Sequence, residues 1–267
     1  MRIGVVAPST PIEPEVADAV LALAAERFPD SELAFHPQCF RVHNHFAGTD
    51  AERAEAFLEV ANDASFHALW FARGGYGSCR IAEEVLAGLG PAARAKAYLG
   101  YSDAGYVLAG LYGAGFGQVA HGPMPRDVRR PGGGAAVARA LGWLTGRHAD
   151  ALEPGLGEAP NAAFNVTVLS QLLGTPLEPD LAGHVLLLEE VSEYMYRIDR
   201  SMFHITGALP TLAGIRLGRC TDIPDNDRDF GETEEEVVRH WCAQTGIPYL
   251  GRADIGHDSD NKVVPFG

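Results

Sequence analysis

Lysine is nearly missing from this chain: Lys96 and Lys262 are the only two in 267 residues, and 35 acidic residues outnumber 21 basic ones for a formal net charge of −14. The basic residues are scattered singly rather than striped along one face, which argues against a nucleic-acid partner. Long apolar runs are missing too. No stretch of about eighteen apolar residues occurs, so no membrane span is expected. The opening Met1-Arg2-Ile3-Gly4-Val5-Val6-Ala7-Pro8 is too short an apolar segment for an export signal, and a cytoplasmic location is expected. Cysteine is sparse and widely spaced: Cys39, Cys79, Cys220 and Cys242 form no C-x-x-C pair, which excludes a disulfide framework or a zinc finger. Neither G-x-G-x-x-G nor a G-K-[ST] ending is present, which disfavours nucleotide binding.

Apolar residues make up 46% of the chain, and at this length surface scaling favours two packed units over one. In the first half, short apolar runs alternate with helical spacing. Strands are expected at 3–7, 33–36, 68–72 and 97–100, with helices at 14–28, 50–62, 80–87 and after Ser102. Thr49 followed by Glu52 reads as a capping box for the second helix. The alternation implies a mostly parallel sheet covered on both faces. Gly- and Pro-rich segments then surround one helix near 136–144. We therefore expect an N-terminal α/β domain at 1–130, a crossover linker at 131–160 and a smaller domain at 161–267. In the last part, strands are expected at 185–188 and 214–217, and helices at 167–173, 198–209 and 233–244.

Chemistry concentrates at strand ends. In Tyr98-Leu99-Gly100-Tyr101-Ser102-Asp103-Ala104-Gly105, a serine stands between a buried strand and a helix, the context of a nucleophile elbow, although Ala104 breaks the G-x-S-x-G pattern. The same serine could simply cap the helix. Arg73-Gly74-Gly75-Tyr76-Gly77-Ser78 also joins a strand to a helix, and its backbone N–H groups suit an oxyanion hole better than a phosphate loop. Glu189 and Glu190 end an apolar strand, where a carboxylate can orient an imidazole; strand alternation turns only one of them toward any given partner. No H-x-x-E or D-x-D pattern accompanies them, so neither a metal nor another cofactor is expected. Among ten histidines, His257 lies on a Gly-flanked polar loop, but nothing in its spacing singles it out.

Seven ordered segments together resemble the LD-carboxypeptidase family, serine peptidases that include muramoyltetrapeptide carboxypeptidases and microcin-immunity peptidases. They are Val5-Val6-Ala7-Pro8-Ser9, Arg73-Gly74-Gly75-Tyr76-Gly77, Gly100-Tyr101-Ser102-Asp103, His121-Gly122-Pro123-Met124, Leu188-Glu189-Glu190-Val191-Ser192-Glu193, Tyr196-Arg197-Ile198-Asp199-Arg200, and Ile255-Gly256-His257 leading to Pro265. One departure is Ala163-Phe164-Asn165-Val166-Thr167, where the family usually has Gly-Gly-Asn.

The resemblance implies a nucleophile at Ser102, an acid at Glu189 and a base at His257. It implies a parallel-sheet α/β domain joined to a smaller β-barrel-like α+β domain, with the site between them. The amide N–H of Asp103 and one from Gly74 or Gly75 are the expected oxyanion donors. Tyr76, Tyr101 and Asn165 are candidates for substrate contact, and Arg73, Arg197 and Arg219 for binding a substrate carboxylate. The implied substrate is a murein tetrapeptide that loses its terminal D-alanine at an L,D-amide bond, and the implied assembly is a homodimer. A peptidyl- or aminoacyl-nucleotide antibiotic is the alternative substrate, and a catalytically silent peptide binder the alternative outside enzymes.

Overall fold

Five short stretches, Arg2–Val6 (β1), Glu32–Phe35 (β2), Ala68–Phe71 (β3), Ala97–Gly100 (β4) and Gln118–His121 (β5), pair in parallel, and the middle ones are buried along their whole length, as strands covered on both faces must be. A two-residue strand, Val264–Pro265 (β10), returns from the chain end and pairs antiparallel with β5, giving the order β10-β5-β4-β3-β1-β2. The computed structural model describes residues 1–116 and 118–267.

Helices clothe both faces. Pro14–Arg27 (α1) and Gly133–Gly146 (α5) cover one, through a cluster joining Val16, Val20, Val137 and Leu141 to Ile3, Val5, Trp70 and Leu99. Asp50–Asn62 (α2), Ala82–Gly88 (α3) and Gly105–Gly113 (α4) cover the other. The Thr49 capping box forms as expected, with Glu52 reaching back to the Thr49 N–H at 2.8 Å. The helix expected inside the linker is α5, and it is a structural layer of the first sheet: its Ala, Val and Leu positions bury one stripe against β1, β3 and β4.

The second sheet contains Asn161–Asn165 (β6), Val185–Val191 (β7), Gly214–Thr221 (β8) and Tyr249–Arg252 (β9), paired in that order and all parallel. It is packed by Val166–Leu172 (α6), Met195–Ala208 (α7) and Glu234–Thr245 (α8). The expected α/β fold with a second, smaller sheet is borne out, and that second sheet is parallel. Helices intervene between its successive parallel strands, and β6 and β9 stand at the two ends of the strand order.

The two sheets share one core. Phe164 of β6 and Leu186 of β7 belong to the same apolar cluster as Phe71 and Tyr98 of the first sheet. The chain end stitches them further: Phe266 N–H donates to Val119 O and Gly267 N–H to Asn161 O, each at 2.9 Å. Among the described residues, no helix is long and apolar enough to cross a membrane.

A buried ion pair fastens the connecting segment to the second sheet. Arg216 of β8 binds both Glu153 oxygens, at 2.6 and 2.9 Å, and the same carboxylate accepts the N–H groups of Gly155 and Asp254. Glu153 is 3% exposed. Removing one partner of such a pair leaves an uncompensated charge. Glu153→Ala is therefore expected to lower unfolding free energy by about 3–5 kcal/mol in urea titration; a loss under about 1 kcal/mol would show that solvent reaches Arg216 freely.

Candidate active site

The C-terminal ends of neighbouring parallel strands form a natural crevice. Beyond β3 lies the Arg73-Gly74-Gly75 turn, beyond β4 Ser102, beyond β5 Met124, and at the end of β7 Val191. These residues, with Tyr101, Asp127 and His257, line a single cavity of about 470 Å³.

Ser102 is held in a conformation its side chain does not favour. Tyr101 is extended, and Ser102 then turns to φ +62° before the chain enters the tight turn Ser102–Ala104 that leads into α4. A non-glycine residue in the left-handed region costs on the order of 1–2 kcal/mol. The lacing around it explains why it stays there. The Asp103 carboxylate, 4% exposed, accepts from Ser9 Oγ at 2.5 Å and from Ser78 N–H at 2.8 Å, while Asp103 O accepts from Ser78 Oγ. The elbow is thereby tied to the loop after β1 and to the glycine-rich turn.

That turn needs glycine. A Cβ on Gly74 would come within 2.9 Å of Ser102 Cβ, 3.1 Å of its Oγ and 3.5 Å of Asp103 N, so the missing side chain leaves the space between the serine hydroxyl and the Asp103 amide open. Gly75 lies at φ +103°. Thr10 Oγ1 donates to Gly74 O at 2.7 Å; in a trans peptide the following Gly75 N–H must then point the opposite way from Thr10. Arg53, fully buried on α2, donates to the carbonyls of both Pro8 and Gly77 and fixes this turn against the loop after β1.

His257 enters from the loop beyond β9. Its Nδ1 lies 2.5 Å from Glu189 Oε2, and both side chains are buried, the carboxylate completely. Burial pushes the imidazole down, but the charge of Glu189 and its hydrogen bond more than reverse this, leaving His257 above its ordinary value of 6.5. Nε2, on the far edge of the ring, has no hydrogen-bond partner among the described residues. The ring packs on Tyr101 at a centroid distance of 4.8 Å, and Tyr101 in turn donates to Asp127 Oδ1 at 2.8 Å. Behind it, Asn261 Oδ1 accepts from Gly256 N–H at 3.2 Å and lies 3.3 Å from His121 Nε2. Burial holds the His121 imidazole down at about 4.

The adjacent carboxylates part ways, as strand alternation demands. Glu190 turns toward α6. Its Oε1 accepts from Asn165 Nδ2 at 2.5 Å and Val191 N–H at 2.9 Å, and its Oε2 from Thr167 N–H at 2.9 Å and Thr167 Oγ1 at 2.7 Å. Burial raises the Glu190 carboxyl above its ordinary range.

The other expected residues divide. Arg73 lines the cavity, whereas Asn165 is engaged with Glu190. Tyr76, 52% exposed, packs against His45 and Phe46 and is not among the lining residues. Arg197 pairs with Glu193 on the surface, and Arg219 is held by Asp254 and Asp258, so both lie outside the cavity. Sequence reasoning missed Arg126, Arg129 and Arg130, which do line it. Their signal was their position directly after the His121-Gly122-Pro123-Met124 segment. Among the described residues, no group of three or more His, Cys, Asp or Glu side chains is arranged to hold a metal ion.

The class of protein is given by its family. Residues 3–122 match the LD-carboxypeptidase N-terminal domain and residues 162–267 the LD-carboxypeptidase C-terminal domain. The chain belongs to the LD-carboxypeptidase family. It is 31% identical to a putative carboxypeptidase of Synechocystis, covering 100% of this chain and 89% of the relative. It is 28% identical to a probable murein peptide carboxypeptidase of Bacillus subtilis, covering 99% and 86%. Among solved structures, the muramoyltetrapeptide carboxypeptidase of Oxalobacter formigenes superimposes with a TM-score of 0.82 at 20% identity, over 100% of this chain and 93% of the other.

Glu190 is a structural anchor by these contacts. An amide in place of either oxygen would set N–H groups against donors that both oxygens now accept. Glu190→Gln is expected to cost about 1–3 kcal/mol of stability, read as a lower urea midpoint; an unchanged midpoint would show that the four contacts contribute nothing.

Proposed function

We propose that the protein is a serine-type LD-carboxypeptidase that releases terminal D-alanine from murein tetrapeptide, with Ser102 as nucleophile, His257 as base and Glu189 as the group that orients it. The observation that carries this reading is the meeting, in one cavity, of a serine at φ +62° and an imidazole backed by a fully buried carboxylate.

The chemistry follows from these positions. Glu189 holds Nδ1 protonated, so the neutral ring presents Nε2 as its basic edge. His257 takes the Ser102 proton as the oxygen attacks the amide carbonyl. The oxyanion is met by the N–H groups of Asp103 and of Gly75, the latter aimed by the Thr10 contact to Gly74 O. On collapse the imidazolium protonates the departing amine of D-alanine, and water then hydrolyses the acyl-enzyme by the reverse sequence. Arg73, next to the glycine turn and without a carboxylate partner within 4 Å among the described residues, is placed to receive the terminal carboxylate. Homodimeric assembly, which rests on the family resemblance, and a cytoplasmic location belong to the same proposal.

The murein substrate is favoured by the names of the sequence relatives; the fold is common to both branches of the family. D-alanine release from a purified murein tetrapeptide, set beside hydrolysis of an aminoacyl sulfamoyl adenylate, decides between them. Ser102→Ala is expected to lower turnover by on the order of 10⁴-fold or more with folding intact; more than a tenth of wild-type turnover would end the serine-peptidase reading.

The pH profile supplies a second test. The base must be neutral, and its folded-state value lies above 6.5, so kcat/KM should rise with pH through a midpoint above that of a free imidazole. Glu189→Gln removes the two largest causes that raise it and leaves the smaller effect of Asp127 against burial and Arg130, which lower it. The midpoint should then fall below 6.5 while the rate drops roughly 10³–10⁴-fold. A midpoint that stays put in the variant would assign the titration to another group.

A further inference from the structure

The cavity holds more positive charge than a carboxypeptidase needs. Four of its lining residues are arginines, Arg73, Arg126, Arg129 and Arg130, against one carboxylate, Asp127. This is the reverse of the whole chain, in which acidic residues outnumber basic ones by 35 to 21.

These arginines are only partly neutralised: Arg130 pairs with Asp127 and Arg126 with Glu13, while Arg73 and Arg129 have no ion pair among the described residues. Asp127 is spent on Arg130 Nε at 3.0 Å, on the Tyr101 hydroxyl and on the Met124 N–H, which its Oδ2 accepts at 2.8 Å. Arg126 Nε lies 3.4 Å from a Glu13 oxygen, an ion pair that makes no hydrogen bond at that nitrogen among the described residues. Arg129 is exposed, and like Arg73 it has no carboxylate within 4 Å among the described residues. Burial and the nearby Arg126 charge push Arg73 below its ordinary value, and Glu13, the carboxylate that Arg126 also meets, offsets this only in part. Arg126 and Arg129 belong to one tight turn, Pro125–Arg129, whose first residue is buried. The Asp127 side chain closes that turn onto Met124, so the guanidiniums are carried on a fixed support rather than on a loose loop.

A substrate ending in one free carboxylate accounts for one of these cations, and Arg73 takes that part in the reading above, on which this inference rests. We infer that Arg126 and Arg129 form a second anion subsite, which receives a carboxylate carried by the acyl half of the substrate. The favoured substrate is thus a peptide with at least two carboxylates, one at its terminus and one before the scissile bond, and amidation of the second should weaken binding.

The test uses the full chain carrying Ser102→Ala and two forms of murein tetrapeptide, with the acyl-side carboxylates free or amidated, titrated calorimetrically. The free-acid peptide should bind more tightly. Adding Arg126→Gln and Arg129→Gln should weaken it about 10- to 100-fold and leave the amidated peptide within about threefold. Arg126→Lys, which keeps the charge, should retain most of the affinity, and thermal melting of each variant separates lost binding from lost fold. Equal weakening of both peptides, no weakening of either, or no preference for the free acid would overturn the subsite. D-alanine release by the wild-type chain is measured in parallel. Turnover with silent arginine variants sinks the subsite and spares the carboxypeptidase, whereas arginine-dependent binding without turnover does the reverse.

Discussion

Glu189 has no exposed surface, and its carboxylate lies 2.5 Å from an imidazole that is itself almost wholly buried. Taking a carboxylate out of water costs several kcal/mol, which an ion pair offsets only with good geometry, and since Glu189 Oε1 has no hydrogen-bond partner among the described residues, the offset rests on the Oε2 contact with His257. Much of the architecture serves that geometry. Glu189 comes from a central strand of the second sheet, where neighbours on both sides fix its position. His257 comes from the loop after the last strand of that sheet, and Tyr101, from the first sheet, presses against its ring. Sheet one must therefore sit on sheet two in one arrangement. The shared core and the chain end that bonds to both Val119 and Asn161 hold it there.

The serine is constrained from the opposite side. A left-handed φ at a residue with a side chain persists only where its surroundings determine it. Here the Asp103 carboxylate is consumed in holding the elbow to Ser9 and Ser78, and Arg53 holds the glycine turn to Pro8. These groups are buried and polar, yet each has partners, so they specify a shape without leaving charge stranded. Both the strain and its restraint are local to the end of β4. Changes far along the sheet should leave them alone, whereas a side chain at position 74 would fill the space beside the hydroxyl.

The first sheet was legible because fully buried parallel strands write continuous apolar runs, as Ala68–Phe71 does, and because Thr49 and Glu52 mark a helix start chemically. Other strands were not. Asn161–Asn165 reads Asn-Ala-Ala-Phe-Asn, poor in β-branched residues, and becomes a strand because β7 and the shared core lie beside it. Val264–Pro265 is two residues long and contains proline, and only its place beside β5 makes it a strand. At the site, Ser102 was visible from its strand-turn-helix context, and the glycine turn from its place after β3. His257 and the choice of Glu189 over Glu190 came from family resemblance, since nothing in their spacing links positions 68 residues apart. That the arginines gather was hidden for the same reason: Arg73 and Arg126 come together because β3 and β5 both flank β4.

Charge also acts on two length scales here. At physiological salt, interactions between exposed charges fade over about 8 Å, so the net negative surface opposes an anionic peptide only as it nears contact. Inside the cavity the balance reverses, with guanidiniums partly desolvated and few competing carboxylates, and each charge-assisted hydrogen bond is worth more than on the open surface. Binding of an acidic peptide should therefore depend on docking in the cleft rather than on long-range capture. Such an arrangement disfavours loose adsorption of polyanions at large. On the proposed function, it would reserve attraction for a chain slim enough to place its carboxylates beside the arginines while its terminal amide reaches Ser102.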